Sequence, residues 1–219
     1  MNTMTEANDT QQSVTVSVLA PGGELARDKY VQANPASTFF HLSGWKRVIE
    51  TAFGHKTFYL VAKRGADICG ILPLTQIKSL IFGNMLISNA FCVYGGIVAN
   101  DVIARERLKS KALQTAATSK VEGVEFRSSP ADLPSCEPTK RLYVTFRQQI
   151  APDADANMKA IPRKQRAMVR KAMTNGLTAE IDDDVSRLHN IYAHSVRNLG
   201  TPVFSQRYFR ILREEFGDA

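Results

Sequence analysis

The sequence predicts a mixed α/β (α+β) fold. Three observations carry this reading. Val14-Thr-Val-Ser-Val-Leu19 alternates with the two-residue period of a half-buried strand. Trp45, Val48, Ile49 and Ala52 recur at the spacing of one helix face. Residues 57–63 and 68–77 are β-rich runs separated by the turn residues Arg64-Gly65-Ala66-Asp67. With 219 residues, 44% hydrophobic and 22% charged, the chain can bury a sizeable core in one or two domains.

In chain order, residues 1–12 are a polar tail, expected to be disordered and lacking the charged and apolar regions of a secretory signal. Pro21-Gly22-Gly23 ends the first strand, and 24–33 reads as a short helix. Ser43 is placed to cap a helix at 44–53, closed by Gly54. The runs 57–63 and 68–77 form a hairpin. Pro73 lacks an N–H and so assigns its part of the second strand to an edge or a bulge. Short strands follow at 85–89 and 96–99, and between them Tyr94-Gly95-Gly96 is either a turn or a close backbone approach to a ligand.

Asp101 caps a helix at 102–120, residues 123–127 are a strand, 128–139 a polar loop, and 142–146 a further strand. The polar segment 151–157 reads as a linker that separates a first domain, 13–150, from the remainder, 151–219. Pro162 suits the first turn of a helix ending at Asn175-Gly176, with a strand at 177–181 after it. Asp182, Asp183 and Asp184 complement the start of a helix carrying Leu188, Ile191, Tyr192, Val196 and Leu199. Ser205 caps a last helix whose Tyr208, Phe209, Leu212 and Phe216 form an apolar stripe with nothing after it to cover it. That stripe predicts aggregation, a partner or an oligomer formed through the C-terminal helices.

Charge is the sharpest local signal. Lys159, Arg163, Lys164, Arg166, Arg170 and Lys171 crowd one segment without an acid and carry most of the +7 net charge. On a helix they fall within one arc, with Met168, Val169, Ala172 and Met173 opposite, so that one face could pack while the other meets an anion. Other chemistry is sparse. Cys69, Cys92 and Cys136 form no metal or redox spacing, and Cys69 and Cys92 read as buried thiols. His41, His55, His189 and His194 show no ligand spacing, so no metal site is expected. Asp67, Glu125 and Asp132 stand in no motif, and no catalytic base can be named. No apolar run is long enough to span a bilayer, and the cytoplasm is the expected compartment.

Taken as a set, several segments resemble the Fem-like transferases: Phe39-Phe-His-Leu-Ser-Gly-Trp45, Phe53-Gly-His-Lys56, Val93-Tyr-Gly-Gly96, and residues 161–172 with Asn175-Gly-Leu177. Leu199-Gly-Thr-Pro-Val-Phe204 and Tyr208-Phe209 are similar to the FemAB-like branch associated with exosortase, PEP-CTERM and exopolysaccharide loci. The resemblance implies tandem GNAT-type acyltransferase domains, here one complete domain and the N-terminal part of a second. It also implies an apparent C-terminal truncation that would impair catalysis. The family adds acyl or aminoacyl groups to cell-envelope or peptidoglycan precursors. By its motifs a phosphorylated or nucleotide-linked saccharide would meet Lys46, Arg47, Tyr94, Gly95, Gly96, Arg163, Lys164, Arg166, Arg170 and Lys171. No cofactor would be bound permanently, and acyl-CoA or aminoacyl-tRNA would be the donor. The phosphate-binding loop of ordinary acetyl-CoA enzymes has no counterpart in this sequence. Two alternatives stand beside this: an RNA- or tRNA-binding module using the basic helix, and a non-catalytic remnant in which the cations are merely solvated.

Overall fold

The computed structural model describes residues 13–79, 83–128, 146, 148–176, 178, 180–182 and 184–217. The tail 1–12, Cys136, Asp132, most of the loop expected at 128–139, and residues 142–145 of the strand expected at 142–146 lie outside them.

Strands β1 (Val14–Val18), β2 (Lys56–Arg64), β3 (Asp67–Ser79), β4 (Gly83–Ser88) and β6 (Gly123–Phe126) lie side by side in that order. Short β5 (Val98–Ala99) pairs with β3. The hairpin β2–β3 closes where Arg64 pairs with Asp67, and Gly65 there takes φ +62°. Pro73 behaves as its chemistry requires. On the side of β3 away from β2, pairing with β5 covers Gly70 and Ile71, pairing with β4 starts at Thr75, and Pro73 sits in the gap.

Period-two alternation divides the strands between two faces. Leu60, Ala62, Leu72, Leu74 and Leu86 meet α3 (Val102–Thr118) through Ala104, Leu108 and Ala112, small residues that let the helix lie close on the sheet. Asp101 caps α3 by accepting from Ala104 N at 2.8 Å. On the other face Ile71 and Val98 pack against Val31 of α1 (Glu24–Ala33). Helix α2 (Gly44–Phe53) ends at Gly54, in the left-handed region at φ +69°. Ser43 stands at the N-cap of α2 but makes no capping bond, because its hydroxyl is committed to Asp28.

Four helices follow: α4 (Ala154–Ala160), α5 (Arg163–Thr174), α6 (Val185–Asn198) and α7 (Gln206–Phe216). Helix α4 occupies most of the segment expected as a linker, started by Asp153, which accepts from Ala156 N at 2.9 Å. Asp184 caps α6 and Ser205 caps α7. Residues 178, 180 and 181 of the strand expected at 177–181 are not in a strand.

The expectation of an uncovered last helix is corrected. Tyr208 is buried, and Phe209, Leu212 and Phe216 pack with it against Trp45, Val48 and Phe53, so α7 folds back onto α2. Its apolar partner lies upstream in the chain. Gly44 permits the approach, since a Cβ there would stand 2.7 Å from the Phe216 ring. The α6 stripe stays largely open, with Leu188, Ile191 and Leu199 exposed.

Candidate functional site

A buried polar network lies where α1, the 3-10 turn Phe39–His41, the start of α2 and the loop after β4 converge. Its centre is Arg27, fully buried on the same face of α1 as Val31. Its guanidinium lies 4.7 Å over the Tyr59 ring and donates to the carbonyl of His41. Asp28, 3.4 Å from it, accepts from Ser43 N at 2.8 Å and from the Ser43 hydroxyl. Burial lowers the Arg27 pKa, opposed by Tyr59 and Asp28, and burial likewise raises that of the Tyr59 hydroxyl. Among the described residues, Arg27 Nε and Nη2 have no hydrogen-bond partner.

The sequence reading missed this group. An arginine four residues before Val31 shares its helix face, yet arginine is so seldom fully buried that spacing alone does not identify it.

His41 ties the network to the Tyr94–Gly96 loop. Its Nδ1 accepts from the Thr38 N–H at 3.0 Å, so the ring proton sits on Nε2 and is donated to the Gly96 carbonyl, also at 3.0 Å. Thr38 Oγ1 donates to the Tyr94 carbonyl at 3.3 Å, and Tyr94 takes φ +52°. The glycines meet protein atoms. A Cβ on Gly95 would stand 2.7 Å from Asn89 N, and one on Gly96 2.8 Å from Ser128 Cα. Both residues are buried. Gly95→Ala is expected to cost about 1–3 kcal/mol in chemical denaturation, because backbone must move to admit the methyl; a cost within measurement error would show that the loop is loosely held.

In α/β sheets ligands dock at the C-terminal ends of parallel strands. Here Arg127 lies at that end of the β4–β6 pair. Arg127 N donates to Ser88 Oγ at 2.8 Å, and Arg127 Nη1 to the Cys92 carbonyl at 2.9 Å. Burial pushes the Cys92 thiol up to about 12, as suits a packing thiol. Cys69 is a buried free thiol too.

Lys46 and Arg47 are both engaged. Lys46 Nζ donates to Glu50 Oε1 and Oε2 at 2.9 and 2.7 Å, one helical turn away. Arg47 grips Glu215 of α7 with two hydrogen bonds, which raises its pKa. Beside that pair a cavity of about 550 Å³ opens over Phe39, Leu212 and Phe216, with Asp182, Asp184 and Arg213 on its rim. The rim acids have partners. Asp182 pairs with Arg187 at 2.7 Å, and Asp184 accepts from Ser186 N; donated backbone hydrogen bonds are the first cause of the low pKa of each. Among the described residues no group of three or more His, Cys, Asp or Glu could hold a metal, and no helix is long and apolar enough to cross a membrane.

The α5 cluster stands apart. The structure divides it, placing Lys159 on α4 and Arg163, Lys164, Arg166, Arg170 and Lys171 on α5. Arg163, Lys164, Arg170 and Lys171 are exposed, and among the described residues no ion pair involves them. Arg166 is half-buried and bonds the carbonyls of Lys159 and Ile161 at 2.7 and 2.9 Å, closing the end of α4. The face expected to pack stays largely open, with only Ala172 half-buried. Helix α5 buries no residue, and Met168, Val169 and Met173 are exposed. Lys46, Arg47 and the 94–96 loop thus share one neighbourhood, held by the 38–45 segment, and α5 is a separate exposed surface.

No family model matches this chain, and no curated protein matches it. Among solved structures it is similar to the crystal structure of FemX, at TM-score 0.66 and 15% identity, over 93% of this chain and 55% of FemX. It aligns more weakly, at TM-score 0.39 and 10% identity, with a GNAT family acetyltransferase of Staphylococcus aureus subsp. aureus USA300_TCH1516, over 63% of this chain and 99% of that one. The chain therefore shares the mixed α/β fold of FemX over nearly all its length and spans about half the length of FemX.

Proposed function

We propose that this chain is a Fem/GNAT-type transferase that carries an acyl or aminoacyl group to a phosphorylated saccharide precursor of the cell envelope or exopolysaccharide. The observation that carries the reading is the likeness to FemX, which covers 93% of this chain. The α5 cations support it, being exposed and, among the described residues, without an ion pair, as a phosphate-binding surface requires. Arg163 and Arg170, seven residues apart on one face, are the first contacts for a diphosphate, with Lys164 and Lys171 flanking them. Lys46 and Arg47 are already paired with Glu50 and Glu215, and the Tyr94–Gly96 loop packs on Asn89 and Ser128, so in this reading they come second to α5 as phosphate ligands. The donor, acyl-CoA or aminoacyl-tRNA, would approach as a substrate. The open α6 face at Leu188, Ile191 and Leu199 supports a further subunit or domain completing the site.

The test is isothermal titration of the full chain with UDP-N-acetylglucosamine at low and high salt. Binding that weakens as salt rises, and that is lost in Arg163→Glu with Arg170→Glu while the melting curve is kept, is expected. Arg166 is left in place because its backbone bonds support α4. Equal affinity in the double variant, or retention of RNA in place of the nucleotide sugar, would overturn the reading.

A further inference from the structure

Helix α5 carries more than a phosphate-binding face. On its 12 residues the exposed cations Arg163, Lys164, Arg170 and Lys171 occupy one side. The other side presents Met168 and Met173, 67% and 68% exposed, beside Val169. No acid interrupts the helix, and nothing of it is buried. Two open methionines opposite the cations make the helix amphipathic, and a soluble phosphate would be held by the cations alone. Helices with an uninterrupted basic face backed by open apolar side chains lie in the interface of anionic bilayers. There the apolar side chains enter the boundary between headgroups and acyl chains while the cations meet lipid phosphates. RNA fits less well, because no aromatic side chain lies among the cations to stack on a base.

We propose that α5 docks this protein on a membrane surface rich in anionic phospholipid. Charge complementarity selects the lipid: acid-free cations on one face, anionic headgroups on the other. The inference rests on the reading of α5 as an anion-binding face, and it adds a role for the methionines that phosphate binding does not need.

The experiment is co-sedimentation of the full chain with vesicles of phosphatidylcholine alone and of phosphatidylcholine with about one quarter phosphatidylglycerol. The chain is expected to bind the anionic vesicles and to leave the neutral ones. Arg163→Glu with Arg170→Glu should lower partitioning at least 25-fold, since each cation near such a surface contributes roughly fivefold. Met168→Gln with Met173→Gln should lower it about tenfold while leaving both the melting curve and UDP-N-acetylglucosamine binding unchanged, because neither side chain is buried. No binding to anionic vesicles would overturn the proposal. So would binding that ignores the methionine pair, which would make the attraction diffuse, and so would release of vesicles by competing RNA. A nucleotide-sugar site that survives any of these results leaves the transferase reading standing.

Discussion

Arg27→Ala is expected to lower the stability of the fold by about 3–5 kcal/mol, read as a shift of the urea midpoint. The substitution empties the space of a fully buried side chain and removes the donor to the His41 carbonyl, which in turn orients the ring that holds Gly96. It also takes the cation away from the Tyr59 face. Arg27→Met separates these effects, because it fills most of the space without the charge. Asp28 keeps its two bonds from Ser43 and is partly exposed, so it is not stranded. The methionine variant should therefore recover more than half of the loss, leaving roughly 1–2 kcal/mol for the orphaned carbonyl and the missing cation–π contact. An alanine variant within 1 kcal/mol of wild type would show that the network does not hold the 38–41 turn.

The second large effect is expected at the α2–α7 interface. Phe216 lies 4.7 Å from Phe39 and 5.5 Å from Trp45, ring centre to ring centre, and is half-buried. Phe216→Ala should cost about 2–3 kcal/mol, less than the value for a fully buried ring. The loss should fall on the docking of α7 before it falls on the sheet, whose core on the α3 side contains no α7 residue. Trp45 is the single tryptophan of the chain and sits in this interface, so its fluorescence reports docking directly. In the variant, the Trp45 emission should shift to the red at lower denaturant than the far-ultraviolet signal falls. Coincident transitions at the wild-type midpoint would mean that the interface contributes little.

The elements with strong periodicity were legible in the sequence. Helices α1 and α2 and the hairpin β2–β3 follow from spacing and turn residues, as do the caps at Asp101, Gly54 and Ser205, because each depends on neighbours a few positions away. What depended on distant residues was not legible. Arg47 meets Glu215 across 168 positions, and no local pattern marks that pairing. The α7 stripe looked unpartnered because its partner, Trp45 with Phe53, had already passed in the chain. Tyr94-Gly95-Gly96 signalled close approach, but the approaching atoms belong to Asn89 and Ser128. In α5 the segregation of charge from apolar residues was legible, whereas the exposure of Met168 and Met173 required knowing what lies beside them.

Amide hydrogen exchange with and without UDP-N-acetylglucosamine reports whether α5 is the surface that holds a phosphorylated acceptor. Helix α5 buries no side chain, so its amides should exchange early in the free protein. Nucleotide sugar should slow exchange across 163–174 and leave 44–53 unchanged, and the slowing should vanish in Arg163→Glu with Arg170→Glu. Protection confined to 44–53 and 89–97, with 163–174 unaltered, would contradict that role for α5 and return the phosphate to Lys46 and Arg47.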